Sequence, residues 1–144
     1  MSNLFKEINL SKSKYKYYEK KYNIYDIYRK IIQLSKKIEN KKKGVVSLYS
    51  KNKIDFIIKF YALCKSGFEI YLNDNNNKKN ILKERINIHY YFKNNNLIKL
   101  NSLKSNFVNN KLIILKTSGS TNLNKYVYLT QKNISYVSTM MNKN

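Results

Sequence analysis

Several residue types are scarce in this 144-residue chain, and each scarcity narrows what the protein can be. A single cysteine, Cys64, excludes an intramolecular disulfide and agrees with a reducing compartment. No run of about 18 apolar residues occurs, so no transmembrane helix is predicted. Met1–Leu10 lacks the apolar centre of a secretory signal. We therefore expect a soluble, cytoplasmic protein with no membrane partner.

Acidic residues are also scarce, at eight against 29 basic residues, which gives a formal net charge of +21. Only Arg29 and Arg85 are arginine, which leaves 27 lysines. Proline and tryptophan are absent and Lys, Asn, Ile and Tyr dominate, a joint skew that an AT-rich genome produces. Nucleic-acid surfaces favour Arg, whose planar fork binds phosphate and guanine through two hydrogen bonds. We attribute most of the charge to coding bias and do not expect nucleic acid as a partner.

The remaining composition, with 42% hydrophobic residues, is that of a globular protein, and the length suits one domain. Apolar residues at spacings of three and four predict a helix over Ile24–Glu39, with Asn23 as its N-cap. Gly44–Tyr49 and Phe68–Leu72 are typical of strands. Between them, Asn52 caps a second helix that ends at Ser66-Gly67. Strand, helix and strand in about thirty residues predict a βαβ unit with a parallel pair.

The rest of the chain predicts further short elements of the same α/β layer structure. Residues 1–21 are expected to be an irregular Lys/Tyr-rich segment, and Lys93–Asn96 and Lys104–Asn110 to be loops. A helix is expected over Ile81–Arg85 and a last one, capped by Thr130, over Gln131–Met141. Strands are predicted over Ile88–Phe92, Leu97–Leu100, Lys111–Lys116 and Tyr126–Leu129.

The polar loop between the last two strands, Thr117–Lys125, carries the most chemical information. Hydroxyls and backbone N–H groups are concentrated there, and Gly119, one of only three glycines, lets a ligand approach the backbone closely. Such a loop can hold phosphate oxygens, with Lys125 adding positive charge. It is not a Walker loop, because that spacing of two glycines and a Lys-Ser/Thr pair is missing. Taken alone, a loop of this composition is more often a simple turn.

Thr117–Asn133 resembles the phosphate-loop signature of the adenylate-forming superfamily, which includes acyl-CoA synthetases and nonribosomal-peptide adenylation domains. The upstream resemblance covers Tyr22–Ile27 and the strand-helix-strand of Val45–Leu72. Three positions depart from the pattern: Asn122 and Tyr126 replace glycines, and Asn124 replaces proline. The residues that match the signature are Thr117, Ser118, Gly119, Ser120, Thr121, Lys125, Val127, Thr130 and Asn133.

The resemblance implies a mostly parallel α/β sheet with a phosphate loop between two strands. It also implies that residues 1–144 form part of an N-terminal AMP-binding domain, in which residues 22–144 are the family-like region. It also implies ATP with Mg²⁺, a carboxylate substrate, and a thiol acceptor on coenzyme A or a carrier protein. The residues expected to bind the phosphates are Thr117, Ser118, Gly119, Ser120, Thr121, Asn122 and Lys125.

In the family, the Mg²⁺-binding Glu, the ribose-binding Asp and the catalytic Lys all come later than this motif. We therefore expect no catalytic residue, no metal ligand and no adenylation by these 144 residues alone, and a complementary chain as a possible partner. His89 has no Cys or His at ligand spacing, which argues against a metal site. Two alternatives stay open: a small basic nucleic-acid-binding protein, and a non-catalytic remnant that acts as an interaction domain.

Overall fold

The computed structural model describes residues 15–17, 20–101, 112–117, 125–130 and 132–134, and its centre is a six-stranded mixed sheet. Its strands are β3 (Val45–Leu48), β4 (Glu69–Leu72), β5 (Tyr90–Lys93), β6 (Asn96–Lys99), β7 (Ile113–Thr117) and β8 (Lys125–Leu129). They lie in the order β6-β5-β3-β4-β7-β8. The four inner strands are mutually parallel, and β6 and β8 pair antiparallel at the two edges.

Three helices connect or precede these strands: α1 (Ile24–Ile38), α2 (Lys53–Lys65) and α3 (Lys78–Leu82). The predicted caps of α1 and α2 are confirmed. The Asn23 side chain accepts a hydrogen bond from the Tyr25 N–H at 2.9 Å, and the Asn52 side chain accepts one from the Asp55 N–H at 3.0 Å. Gly67, at a φ of 75°, occupies the left-handed turn that ends α2. Strands β3 and β4, which flank α2 in the sequence, pair in parallel, so the predicted βαβ unit and its parallel pair are confirmed.

Each face of the sheet is covered, and the alternation of strand residues divides the core in two. On one face α1 and α2 pack over Val46, Leu48, Ile70 and Phe92. On the other face lie α3 and the segment that follows it. The second cluster consists of Val45, Tyr71, Ile81, Ile88 and Ile114, with Tyr126 packed against it. None of the helices in the described parts of the chain has the length and apolar character to cross a membrane.

Two titratable side chains, those of His89 and Cys64, are buried in this core. His89 is only 4% exposed, and its Nδ1 accepts a hydrogen bond from the Val45 N–H at 3.0 Å, which ties the start of β3 to the segment before β5. Burial lowers the pKa of His89 and so favours this neutral ring. Burial also raises the pKa of the Cys64 thiol to about 12, as expected for a cysteine that serves as core packing.

Several local expectations are wrong. The segment expected to be irregular contains the strands β1 (Tyr15–Tyr17) and β2 (Lys20–Tyr22), which pair antiparallel. Helix α3 begins at Lys78, three residues before the expected start at Ile81, because Asn77 caps it by accepting from the Lys79 N–H. The expected Lys93–Asn96 loop is a tight hairpin turn whose Asn94 has a φ of 55°. Residues 104–110 lie outside the described parts of the chain.

Candidate phosphate-binding site

The two ends of the expected phosphate loop lie side by side in the sheet. Thr117 is the last residue of β7 and Lys125 the first of β8, and the two form a register pair. The Thr117 hydroxyl donates to the Lys125 carbonyl at 3.4 Å. The expectation that both residues belong to the loop is therefore wrong, because strand pairing continues one step further than the apolar pattern indicates. Ser118, Gly119, Ser120, Thr121 and Asn122 lie outside the described residues.

This hairpin opens at the carboxyl edge of the parallel strands. The register pair Leu72 and Leu115 aligns the ends of β4 and β7. The polar segment that begins at Asn73 therefore starts beside Lys116 and Thr117. In open α/β sheets, ligands bind outside the carboxyl ends of the strands. Thr117 and Lys125, the residues that flank the loop, therefore lie at the edge of the sheet where a ligand is most often found.

Strand alternation separates the polar residues of the hairpin into two sets. Paired residues of antiparallel strands share a face, and the next pair lies on the opposite face. Thr117 and Lys125 thus lie on the same face as Leu72, the face covered by α1 and α2. Lys116 and Tyr126 form the neighbouring pair and lie on the α3 face.

The two lysines at the hairpin differ in their charge partners. The Lys116 ammonium lies 3.0 Å from the Glu84 carboxylate, so its charge is already compensated. The Lys125 side chain is exposed and makes no ion pair with the described residues. Of the two, Lys125 is the one whose charge remains available to an anion at the mouth of the loop.

Glu84, which gave no signal in the sequence, organises the α3 face of the hairpin. Its side chain is only 10% exposed, and it accepts hydrogen bonds from the Tyr126 hydroxyl at 2.6 Å and the Lys116 ammonium at 3.0 Å. Burial by itself raises the pKa of this carboxyl, but these donors outweigh burial and hold the pKa below its ordinary value. The Tyr126 hydroxyl also accepts from the Arg85 N–H at 3.2 Å. The cluster therefore fastens both hairpin strands to the segment after α3.

Tyr71 completes the apolar side of this cluster. Its ring lies edge-on to that of Tyr126, with centroids 6.2 Å apart. The Tyr71 hydroxyl is fully buried and lies near the Glu84 carboxylate. Burial raises its pKa, and the nearby negative charge of Glu84 raises it further, so the phenol stays neutral.

Thr130 and Asn133, which match the end of the family signature, bond to each other. The Thr130 N–H and hydroxyl donate to the Asn133 side-chain oxygen at 2.9 and 2.6 Å, and the Asn133 N–H donates to the Thr130 hydroxyl at 3.3 Å. This reciprocal arrangement is that of a helix N-cap, and residues 132–134 are helical. The two side chains thus fix the turn after β8.

Within the described ranges, no group of three or more His, Cys, Asp or Glu side chains could hold a metal ion. No protein-family model matches the chain, and no curated protein matches it. The case for the adenylate-forming family therefore rests on the signature at Thr117–Asn133, the upstream pattern and the position of the hairpin.

Proposed function

We propose that the loop between β7 and β8 binds the phosphates of ATP in a carboxylate-activating, adenylate-forming ligase. The observation that carries the proposal is the position of the Thr117–Lys125 pair at the carboxyl edge of the parallel strands. The loop between them has the sequence Ser-Gly-Ser-Thr-Asn-Leu-Asn, which is rich in hydroxyl and amide donors. An available ammonium stands at its end, and that combination suits an oligophosphate.

The chemistry assigned to the loop is stabilisation of a leaving group. In the ligase reaction a carboxylate oxygen attacks the α-phosphorus of ATP, the bond from that phosphorus to the bridging oxygen breaks, and pyrophosphate leaves with the electron pair. Donors already aligned on the β- and γ-phosphates stabilise the charge that develops there. Lys125 and the hydroxyls of Thr117, Ser118, Ser120 and Thr121 are the groups assigned to this task, with Mg²⁺ bound to the phosphates.

The acyl-adenylate would then pass to a thiol of coenzyme A or a carrier protein, as the family resemblance implies. A complementary chain that supplies further ligase motifs is part of the same proposal. The proposed ligase function requires ATP to bind through its phosphates, and this requirement distinguishes it from the two open alternatives. A nucleic-acid-binding protein would bind by overall charge, and a remnant would have no preference for a triphosphate.

The test compares two lysine substitutions that remove the same charge. Lys125→Gln changes the proposed phosphate contact, whereas Lys99→Gln changes an exposed lysine at the far end of β6. Titration calorimetry with ATP, at about 0.15 M salt to screen non-specific attraction, gives the dissociation constants. We expect Lys125→Gln to weaken ATP binding by about tenfold or more, and Lys99→Gln by less than about twofold.

Adenosine supplies the second control, because it lacks phosphates and should bind equally to both variants. If the two substitutions weaken ATP binding equally, the charge of the whole chain attracts the nucleotide and the loop has no special role. If ATP does not bind in a saturable way at this salt concentration, the proposal is wrong.

A further inference from the structure

A second candidate site lies on the same face of the sheet, away from the hairpin. An open cleft of about 570 Å³ is bounded by α1, the first turns of α2 and the turn that follows β5. Its polar lining comes from Lys30, Gln33 and Lys37 of α1, together with Asn52, Asp55 and Asn95. The volume falls in the range of pockets that hold small organic molecules.

The lysines share the cleft because of their spacing along α1. Lys30, Gln33 and Lys37 recur at intervals of three and four residues, which places them on one stripe of the helix, about 10 Å from end to end. Other exposed lysines near the end of this helix, Lys36 and Lys41, do not line the cleft. Lys36 and Lys41 therefore serve as controls of equal charge for Lys30 and Lys37, which line the cleft.

The cleft carries an uncompensated positive charge. Lys30 makes no ion pair with the described residues, and the Lys37 ammonium donates to the neutral side-chain oxygen of Asn96 at 2.8 Å. Asp55, the acidic residue of the lining, is already paired: its carboxylate lies 2.6 Å from the Lys59 ammonium and accepts from the Ser50 hydroxyl. Two ammonium groups thus face the cleft without a carboxylate to balance them.

The rest of the lining is apolar. Leu34 of α1 and Ile54 and Ile58 of α2 are half-buried and border the cleft. Apolar side chains gain free energy when a ligand covers them, at roughly 25 cal/mol for each Å² removed from water. A ligand that fits both parts of the lining has an anionic group and an apolar body.

The topology places this cleft where α/β sheets commonly bind ligands. Asn52 follows β3 and Asn95 follows β5, and these two strands are neighbours in the sheet. Because β3 and β5 are parallel, both residues lie beyond the carboxyl ends of these strands, which is the general position of ligand sites in open sheets.

We propose that this cleft binds a small organic carboxylate with an apolar body, held by Lys30 and Lys37 at its charged end and by Leu34, Ile54 and Ile58 along its body. The site shares no residue with the β7–β8 hairpin, so this proposal does not depend on the proposed ATP function. Either proposal can be disproved without affecting the other.

The experiment uses 4-phenylbutyrate and its neutral counterpart 4-phenylbutan-1-ol, and follows amide chemical shifts of the full chain by NMR. The test variant is Lys30→Gln with Lys37→Gln, and the control is Lys36→Gln with Lys41→Gln, which removes the same two charges. We expect saturable shifts around Gln33, Ile54 and Asn95 with the carboxylate. We also expect binding about tenfold weaker in the test variant and changed by less than about twofold in the control.

The alcohol should bind about tenfold more weakly than the carboxylate to the unaltered protein if the lysines recognise the charge. Binding of the carboxylate should also survive Lys125→Gln, which separates this site from the loop. Equal weakening in the two double variants, or equal binding of acid and alcohol, would overturn the proposal. All four positions are exposed, and matching unfolding midpoints of the variants show that any difference in affinity does not come from loss of the fold.

Discussion

The cluster around Glu84 leads to a sharp prediction about stability, because it joins residues that are far apart in the sequence. The Tyr126 hydroxyl donates to the nearly buried Glu84 carboxylate at 2.6 Å. A hydrogen bond to a charged acceptor contributes about 1.5 to 3 kcal/mol. The Lys116 contact to the same carboxylate contributes less, about 0.5 kcal/mol, because the lysine side chain is 36% exposed and water screens it.

We therefore expect Tyr126→Phe to lower the free energy of unfolding by about 2 kcal/mol and Glu84→Gln by a similar amount. The double variant should lower the free energy of unfolding by much less than the sum of these two values, since Tyr126→Phe removes the shared hydrogen bond and Glu84→Gln removes the charge that strengthens it. The coupling free energy of the cycle should be at least about 1 kcal/mol at neutral pH. Urea unfolding of the four proteins measures it, provided that the slopes of the four transitions agree.

The pH dependence provides an independent check of the same contact. The pKa of Glu84 is held below its ordinary value of 4.5, so its contribution to stability is complete above that pH. It is lost as the pH falls through the lowered pKa of the folded state, where the carboxyl gains a proton. The free energy of unfolding of the unaltered protein should thus fall more steeply below about pH 4.5 than that of Glu84→Gln.

Glu39→Gln is the matched control, because Glu39 is exposed at the end of α1 and should change stability by less than about 0.5 kcal/mol. A coupling free energy below about 0.5 kcal/mol between Glu84 and Tyr126 would refute the reasoning. It would mean that the hairpin is held by strand pairing and apolar packing alone.

Two further expectations concern the core and the helix caps. Burial lowers the pKa of His89 from 6.5, so its neutral form supports the fold above that pH, and stability should fall as the pH drops below 6.5. His89→Gln should flatten this dependence in unfolding curves measured between about pH 5 and 7.5, and an unchanged slope would exclude His89 as its source. Asn52→Ala should lower the free energy of unfolding by about 1 kcal/mol, since the Asn52 side chain caps α2. Lys51→Ala, at the preceding exposed position, should lower it by less than about 0.5 kcal/mol. Equal losses in urea unfolding would contradict the assigned cap.

The first half of the fold was predictable because its signals are local. The helix Ile24–Ile38 follows from apolar residues at spacings of three and four, and Asn23 and Asn52 mark the helix starts that the structure confirms. Gly67 marks the end of α2, since glycine adopts a positive φ without strain. Each of these features depends on residues within one or two helical turns of one another.

The tight turn of the β5–β6 hairpin had a local signal as well. Asn94-Asn95 stands between Tyr90–Lys93 and Asn96–Lys99, and asparagine tolerates the positive φ that such turns require. The high asparagine content of the whole chain hides this signal, since many other Asn-rich segments are equally typical of longer loops.

The contacts at the candidate sites could not be predicted, because they join distant segments. Glu84 lies 32 positions from Lys116 and 42 from Tyr126, and nothing near Glu84 indicates either partner. The cleft likewise brings Lys37 of α1 next to the β5–β6 turn, 59 positions away at Asn96. Local spacing predicts which residues share a helix face, but only the strand order decides what that face meets.

The position of Tyr126 bears directly on whether the departures from the family signature exclude a phosphate loop. In the signature a glycine stands there, and a tyrosine next to the nucleotide would occupy its space. Strand alternation instead places Tyr126 with Lys116 on the α3 face, where its ring packs against Tyr71. Thr117 and Lys125 lie on the opposite face, so the added ring does not occupy their side of the hairpin. On this argument Tyr126→Gly would remove the anchor at Glu84 and the contact with Tyr71, and would destabilise the hairpin without improving access to the loop.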